Sequence, residues 1–308
     1  MVGAAMTRSP VDPRGFWLGV AAYVLWGLAP IYWNLLDEVP VMEVLAHRVT
    51  WSVPMLAIVV VARRRWGRLV AHATSPATVA IAVGAAVFLA INWGIFIWGV
   101  STGHVVEVSL GYFINPLLSV ALGIIVLRER LSRGQAMAVA MAAIGDGYMT
   151  IRKGTAPWIS LILATSFAIY GLLKKHPKAA PALEGLLIEI SSLLVPAMIW
   201  VGIGVIGGDG QFGGSLGTSV ALIGGGAMTA VPLLAFGEAA KRIPLSMIGL
   251  LQYLAPSLQF VRGVFVYGEV VGSDRLVGFA LVWLGLAILS AESLLQRRRE
   301  APVAVISS

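Results

Sequence analysis

The sequence predicts an all-α polytopic membrane protein with ten transmembrane helices arranged as two inverted five-helix repeats. Three observations lead there. Residues of the set AVILMFWYC fill 58% of the 308 positions, charged residues fill only 12%, and the mean hydropathy is +0.87. Soluble domains carry about 25% charged residues, so this chain has too few charges to coat a water-facing surface. The apolar residues also fall into ten runs of spanning length, and the chain resembles itself at a shift of 140 residues.

A helix needs about 20 mostly apolar residues to cross the hydrocarbon core. Runs of that kind, bounded by charge, proline or glycine, lie at 15–34, 43–61, 78–99, 105–127, 132–151, 157–173, 184–203, 216–238, 244–267 and 274–294. The only sizeable connections are 62–77, 174–183 and 204–215, leaving no room for a soluble domain. Basic residues decide orientation, because basic loops resist translocation. With a cytoplasmic N-terminus, that side collects 17 of the 22 Lys and Arg, from Arg8 and Arg14 through the clusters at 63–68, 128–133, 174–178 and 241–242 to Arg297–Arg299. The other side collects 3, Arg152, Lys153 and Arg275. Both termini are therefore expected in the cytoplasm, with the first apolar run retained as a span because it is too long for a secretory signal.

The shift of 140 aligns 105–149 with 245–289 without a gap and with eight identities, among them Pro116 with Pro256, Gly123 with Gly263, Glu129 with Glu269 and Gly145 with Gly285. It also sets Asn92 against Pro232. Five helices per copy make the second copy enter the membrane from the opposite side. The predicted organisation is a tail at 1–14, a first repeat at 15–151, a second at 152–294 and a basic cytoplasmic tail at 295–308. Inverted repeats with interrupted helices are the architecture of many secondary transporters, since mirror-related halves give inward-open and outward-open states of similar energy.

Polar residues inside the spans supply the candidate site. Positions i, i+4, i+7 and i+11 share a helix face, which makes stripes of Tyr112, Pro116, Ser119 and Gly123 on the fourth span and of Gln252, Pro256, Gln259 and Gly263 on the ninth. Proline removes a backbone hydrogen bond, and the polar backbone it leaves must face protein or a wet cavity. The stripes line a cavity on one reading and form a dry packing seam on the other. Asn115 and Tyr253 lie beside them, and Trp26, Asn92 and Trp93 offer aromatic and amide groups within other spans. Such a pocket suits a small amphipathic organic molecule.

Arg48 and Arg262 each cost about 2.5–3.5 kcal/mol at a helix centre. Both sit in the outer third of their spans, where an arginine either snorkels to the interface or serves a site. Candidate acidic partners at similar depth are Glu43, Glu107 and Asp146, and His47 points to a different face from Arg48.

Several chemistries are excluded. Without cysteine there are no disulfides, thiol nucleophiles or iron–sulfur clusters, and four histidines leave little for a metal. No metal, cofactor or nucleic acid is expected. Gly202, Gly204 and Gly207 match a dinucleotide fingerprint but have no βαβ unit around them. Gly213, Ser215 and Gly217 match a nucleophile elbow but lie in an outer loop with no strand before it. There is no nucleotide-binding P-loop. An enzyme is not expected.

The runs WGLAPIYWN at 26–34, EVLAHR at 43–48, INWGIFIW at 91–98, SLGYFINPL at 109–117 and QYLAPSLQF at 252–260 resemble the RarD family, a branch of the EamA-type drug/metabolite transporter superfamily. The resemblance covers nearly the whole chain. It implies a bacterial inner-membrane protein that moves small organic solutes, and two positions, Arg262 and Asp146, depart from the family pattern. The expected function is a secondary-active exporter of metabolites or drugs, working by alternating access around a central aromatic and polar cavity, driven by a proton gradient or by the substrate gradient itself, with a monomer or homodimer as the unit. The competing reading is a membrane-embedded enzyme or lipid scramblase using the same cavity. The expected solute-binding set is Trp26, His47, Arg48, Asn92, Trp93, Tyr112, Asn115, Gln252, Tyr253 and Gln259, with helix breaks at Pro116 and Pro256.

Overall fold

Capping residues and prolines set where the helices of this chain begin and break. The computed structural model describes residues 12–153, 158–266, 268, 272 and 276–288. Helix α1 (Pro13–Trp33) starts where Asp12 accepts a hydrogen bond from the Arg14 backbone N–H at 2.9 Å, with Pro13 in the first turn, a position whose N–H has no helical partner in any case. It is followed by α2 (Val41–Ala62), α3 (Trp66–Ala73), α4 (Pro76–Ser101), α5 (Val105–Ile125), α6 (Arg133–Lys153) and α7 (Trp158–Lys174). The remainder are α8 (Ala182–Ser192), α9 (Leu194–Gly207), α10 (Leu216–Ala240), α11 (Leu245–Gln252), α12 (Leu254–Phe265) and α13 (Leu276–Ile288). No strand occurs among the described residues.

Five stretches are long and apolar enough to cross a membrane, and a sixth is added if the bent pair α8–α9 counts as one span. Their outward faces carry large apolar side chains, with Ile206 89% and Leu216 82% exposed, surfaces that suit lipid rather than water.

Two runs read as single helices from sequence are each split. The run at 184–203 breaks at Leu193, with α9 turning 46° from α8, and the run at 244–267 breaks at Tyr253. Both breaks stand just after the residue four before a proline, Ser192 before Pro196 and Gln252 before Pro256, where the ring removes the N–H and crowds that carbonyl. Pro116 meets the same constraint, yet α5 runs through it. The connection at 62–77 contains α3, too short for a spanning search to find. Ser215, centre of the elbow-like motif, is the N-cap of α10, its hydroxyl accepting from the Thr218 N–H at 3.0 Å.

The chain divides into two units, Met1–Val87 with Leu173–Pro244, and Phe88–Leu172 with Leu245–Ser308. Each draws helices from both halves of the sequence. In the first, α10 packs on α1, α2 and α8, and α2 also packs on α9. In the second, α11 packs on α5 and α6. The core of the second unit gathers Leu110, Phe113, Ala142, Tyr253, Phe279 and Val282.

Candidate functional site

In the first unit the site residues gather where α2 crosses α10. A side chain at Gly226 would place its Cβ 2.6 Å from the Trp51 carbonyl carbon, so the two backbones touch only because that position is glycine. The Ser52 hydroxyl spans the crossing, lying 2.6 Å from the Arg48 carbonyl and 2.9 Å from that of Gly226. Beside this contact Arg48 is half-buried. Its Nε donates to the Thr229 hydroxyl at 2.9 Å, which itself donates to the Gly225 carbonyl at 2.9 Å. The guanidinium lies 4.7 Å from the centre of the Trp33 ring, a cation–π contact of about 0.5–2 kcal/mol. Arg48 is thus held on a shelf of Trp33 and Thr229 about 10 Å, seven residues of helical rise, from the start of α2.

His47 turns to another face, as expected. It is buried, its ring stacks on Phe212 with centroids 4.8 Å apart, and its Nδ1 accepts from Trp51 Nε1 at 3.1 Å. That bond places the neutral ring's proton on Nε2, 3.9 Å from Glu43 Oε1. The same Glu43 oxygen accepts the backbone N–H groups of Gln211 and Phe212 at 2.8 and 3.1 Å. Glu43, one of the acids considered for Arg48, instead ties the 204–215 connection to α2. Trp26 packs with Tyr23 and Phe236 at centroid distances of 5.3 and 5.8 Å.

In the second unit the two proline-centred stripes meet. A Cβ at Gly249 would come within 2.7 Å of the Pro116 carbonyl oxygen and 3.2 Å of Ser119 Cβ. Gln252 Nε2 donates to the Ser119 hydroxyl at 3.1 Å, and Ser119 reaches Asn115 Oδ1 at 3.5 Å. All three are buried, and Gln252 Oε1 has no hydrogen-bond partner among the described residues. Tyr253 is buried with its hydroxyl 3.4 Å from the Phe113 carbonyl. Tyr112 turns outward beside Phe96, and Gln259 is exposed. The Asn92 amide donates to the Leu163 carbonyl and the Ser166 hydroxyl at 2.8 and 3.2 Å, joining α4 to α7, while Trp93 is half-buried on α4. Pro256 is buried at the start of α12. Arg262 is half-buried on α12, and the Asp146 side chain lies outside the described residues.

Other polar contacts escaped the sequence reading. Glu129, seen there only as a repeat identity, accepts the first two N–H groups of α11, from Leu245 at 2.7 Å and Ser246 at 2.8 Å, a charged cap on a helix N-terminus. Lys174 and Glu189 form a buried ion pair, and the Lys175 ammonium donates to the Ala240 and Ile243 carbonyls at the end of α10. Thr229 and Phe212 gave no signal, because a lone hydroxyl or ring in an apolar run looks like packing.

The EamA-like transporter family model matches residues 13–149. Protein RarD of Streptomyces exfoliatus is 43% identical over 289 residues, covering 92% of this chain and 90% of that one. An uncharacterized transporter of Vibrio cholerae is 40% identical over 296 residues, covering 94% and 96%. A protein of known crystal structure shares the fold with a TM-score of 0.70 at 16% identity, over 91% of this chain and 98% of that one. Similarity of this depth over the whole length makes the chain a member of the RarD family of EamA-like membrane transporters.

Proposed function

We propose that this transporter is a secondary-active exporter of small organic solutes in the bacterial inner membrane, with ten spans, both termini cytoplasmic and two inverted five-helix repeats. The observation that carries the proposal is the contact between equivalent stripes. Gly249 of the ninth run lies on Pro116 of the fourth, and Gln252 bonds Ser119. Equivalent segments of an inverted repeat meet at their pseudo-two-fold axis, where such transporters bind solute. In this reading Arg48, in the first unit, is a contact for a polar or anionic group of the solute; taken by itself, Gln252 Oε1 in the second unit is an acceptor for an N–H or O–H. Within the second unit Tyr112, Asn115, Gln259 and Trp93 contribute polar and aromatic lining, and within the first unit Trp26 does. His47, Asn92 and Tyr253, each hydrogen-bonded to another protein group through one polar atom, hold the lining in place. A proton gradient drives the cycle.

Proteoliposomes loaded with a panel of labelled amphipathic solutes test this. Solute flux that responds to an imposed pH gradient is expected, with no acceleration of lipid exchange between leaflets. Lipid exchange without solute flux would replace the exporter with a scramblase.

A further inference from the structure

The connection between α2 and α4 concentrates positive charge. Arg63, Arg64, Arg65 and Arg68 lie in or beside α3. This helix rests on α8 by one face, with Leu69 buried and the guanidinium groups of Arg65 and Arg68 at 3.7 and 3.8 Å from Glu184 Oε1. Glu184 is fully buried, and neither of its oxygens accepts a hydrogen bond among the described residues. No other acid pairs with the four arginines among the described residues, so one carboxylate stands against four guanidinium groups.

The rest of α3 is amphipathic in a particular way. At about 100° per residue, Trp66 and Val70 occupy one flank and Arg68 the opposite one. Trp66 is 56% exposed and Val70 46%. An exposed tryptophan and valine on one flank with arginine on the other is the pattern of a helix lying in the membrane interface. Its apolar flank enters the acyl boundary and its basic flank stays with the headgroups. Guanidinium groups pair with phosphate in bidentate geometry, and a headgroup of net negative charge answers the uncompensated charge where a zwitterionic one does not. A soluble acidic partner would satisfy the arginines but leave Trp66 and Val70 uncovered.

We propose that α3 and its flanking arginines form a binding site for the headgroup of an anionic glycerophospholipid, with Arg63 and Arg64 as its free cations. The site is separate from the solute-binding residues, and its test does not depend on transport.

The chain has no cysteine, and a Cβ at Gly67 meets nothing within 4 Å, so Gly67→Cys carries an environment-sensitive fluorophore without disturbing α3. The labelled protein is reconstituted in phosphatidylcholine vesicles with rising fractions of phosphatidylglycerol. The expected result is a saturable emission shift that weakens in high salt. In the Arg63→Gln/Arg64→Gln variant its midpoint moves to about thirtyfold more phosphatidylglycerol, the factor two arginines contribute at a membrane surface. These two arginines are exposed and form no side-chain hydrogen bond or ion pair among the described residues, so the variant is expected to fold. An equal shift in phosphatidylcholine alone, or a variant that titrates like wild type, overturns the proposal. So does abolition of the shift by soluble inorganic phosphate, which would mark a phosphate-ion site. A shift that follows protein density rather than phosphatidylglycerol overturns it in favour of a second copy of the chain.

Discussion

The crossing of α2 with α10 and the crossing of α5 with α11 are built alike and equipped differently. Each closes on a glycine that leaves no space for a Cβ, Gly226 in one and Gly249 in the other, and each is bridged by a serine hydroxyl, Ser52 and Ser119. Beside the first lies a half-buried arginine on a shelf of Trp33 and Thr229. Beside the second lies a buried row of neutral amides and hydroxyl, Asn115, Ser119 and Gln252. Close helix approach is therefore achieved without any charge, and Arg48 is not needed to pack α2 against α10. A cation retained in an apolar helix, where the cost rises to about 2.5–3.5 kcal/mol at the centre and packing does not require it, is what the proposed solute contact would explain. The neutral row could serve packing alone, and variants separate these roles.

The largest effect is expected at Arg48. Arg48→Ala should lower flux at least about thirtyfold, since losing one side of a desolvated charge contact costs about 2–5 kcal/mol. Insertion into the membrane should be unaffected, and Arg48→Lys should restore transport only in part because the ammonium lacks the planar fork. Near wild-type flux by the alanine variant would reduce the shelf to a snorkelling residue and make the two crossings alike.

Next come the glycines, which test what the crossings share. Gly226→Val and Gly249→Val should each prevent recovery of monodisperse protein, because the nearest neighbours include backbone, the Trp51 carbonyl carbon and the Pro116 carbonyl oxygen, and backbone does not yield as a side chain does. Size-exclusion profiles and thermal melts check this. If only one variant fails, the crossings are not equally tight.

Gln252→Leu asks whether the neutral row does more than pack. In a dry seam the change should be nearly neutral for stability, because it also removes the unpartnered Oε1 whose burial costs about 1–3 kcal/mol. If Gln252 binds solute, flux should fall about tenfold, the loss of about 1.4 kcal/mol expected of one hydrogen bond, while the melting temperature stays level or rises. Unchanged flux with a raised melting temperature would leave α5 and α11 as a packing seam.

The same contrast explains what could be read from the sequence. Apolar runs of spanning length give the helices, because burial in lipid leaves a compositional trace over 20 residues. The family was legible in WGLAPIYWN, EVLAHR and QYLAP. The breaks at Leu193 and Tyr253 were implicit in Pro196 and Pro256, but Pro116 shows why a proline alone does not fix them, since tertiary packing decides whether a helix carries on through the gap. The interfacial α3 escaped because eight residues fall below any spanning window. Among candidate site residues, Arg48 stood out by its energetic cost, and the register put Ser119 and Gln252, which bond to each other, on the two stripes. Thr229 as the partner of Arg48, Phe212 as the partner of His47 and Glu43 as the tether of the 204–215 connection were invisible, because each pairing spans more than 160 residues of chain.

The smallest expected effect lies at Thr229, and it asks how Arg48 is aimed. The hydroxyl accepts from Arg48 Nε and donates to the Gly225 carbonyl, so it fixes one edge of the guanidinium while the Trp33 ring supports its face. Thr229→Val keeps the shape and removes both bonds. Flux should fall about fivefold, corresponding to about 1 kcal/mol for one net hydrogen bond, and Thr229→Ser should transport like wild type because it keeps the oxygen. The corresponding change in the other crossing, Ser119→Ala, should leave flux within about twofold and act on the melting temperature instead, since it removes the only hydrogen bond the Gln252 amide nitrogen makes among the described residues. A Thr229→Val protein at wild-type flux would mean that Trp33 alone orients Arg48. A Ser119→Ala protein with the larger loss would make the neutral row, rather than Arg48, the stronger solute contact.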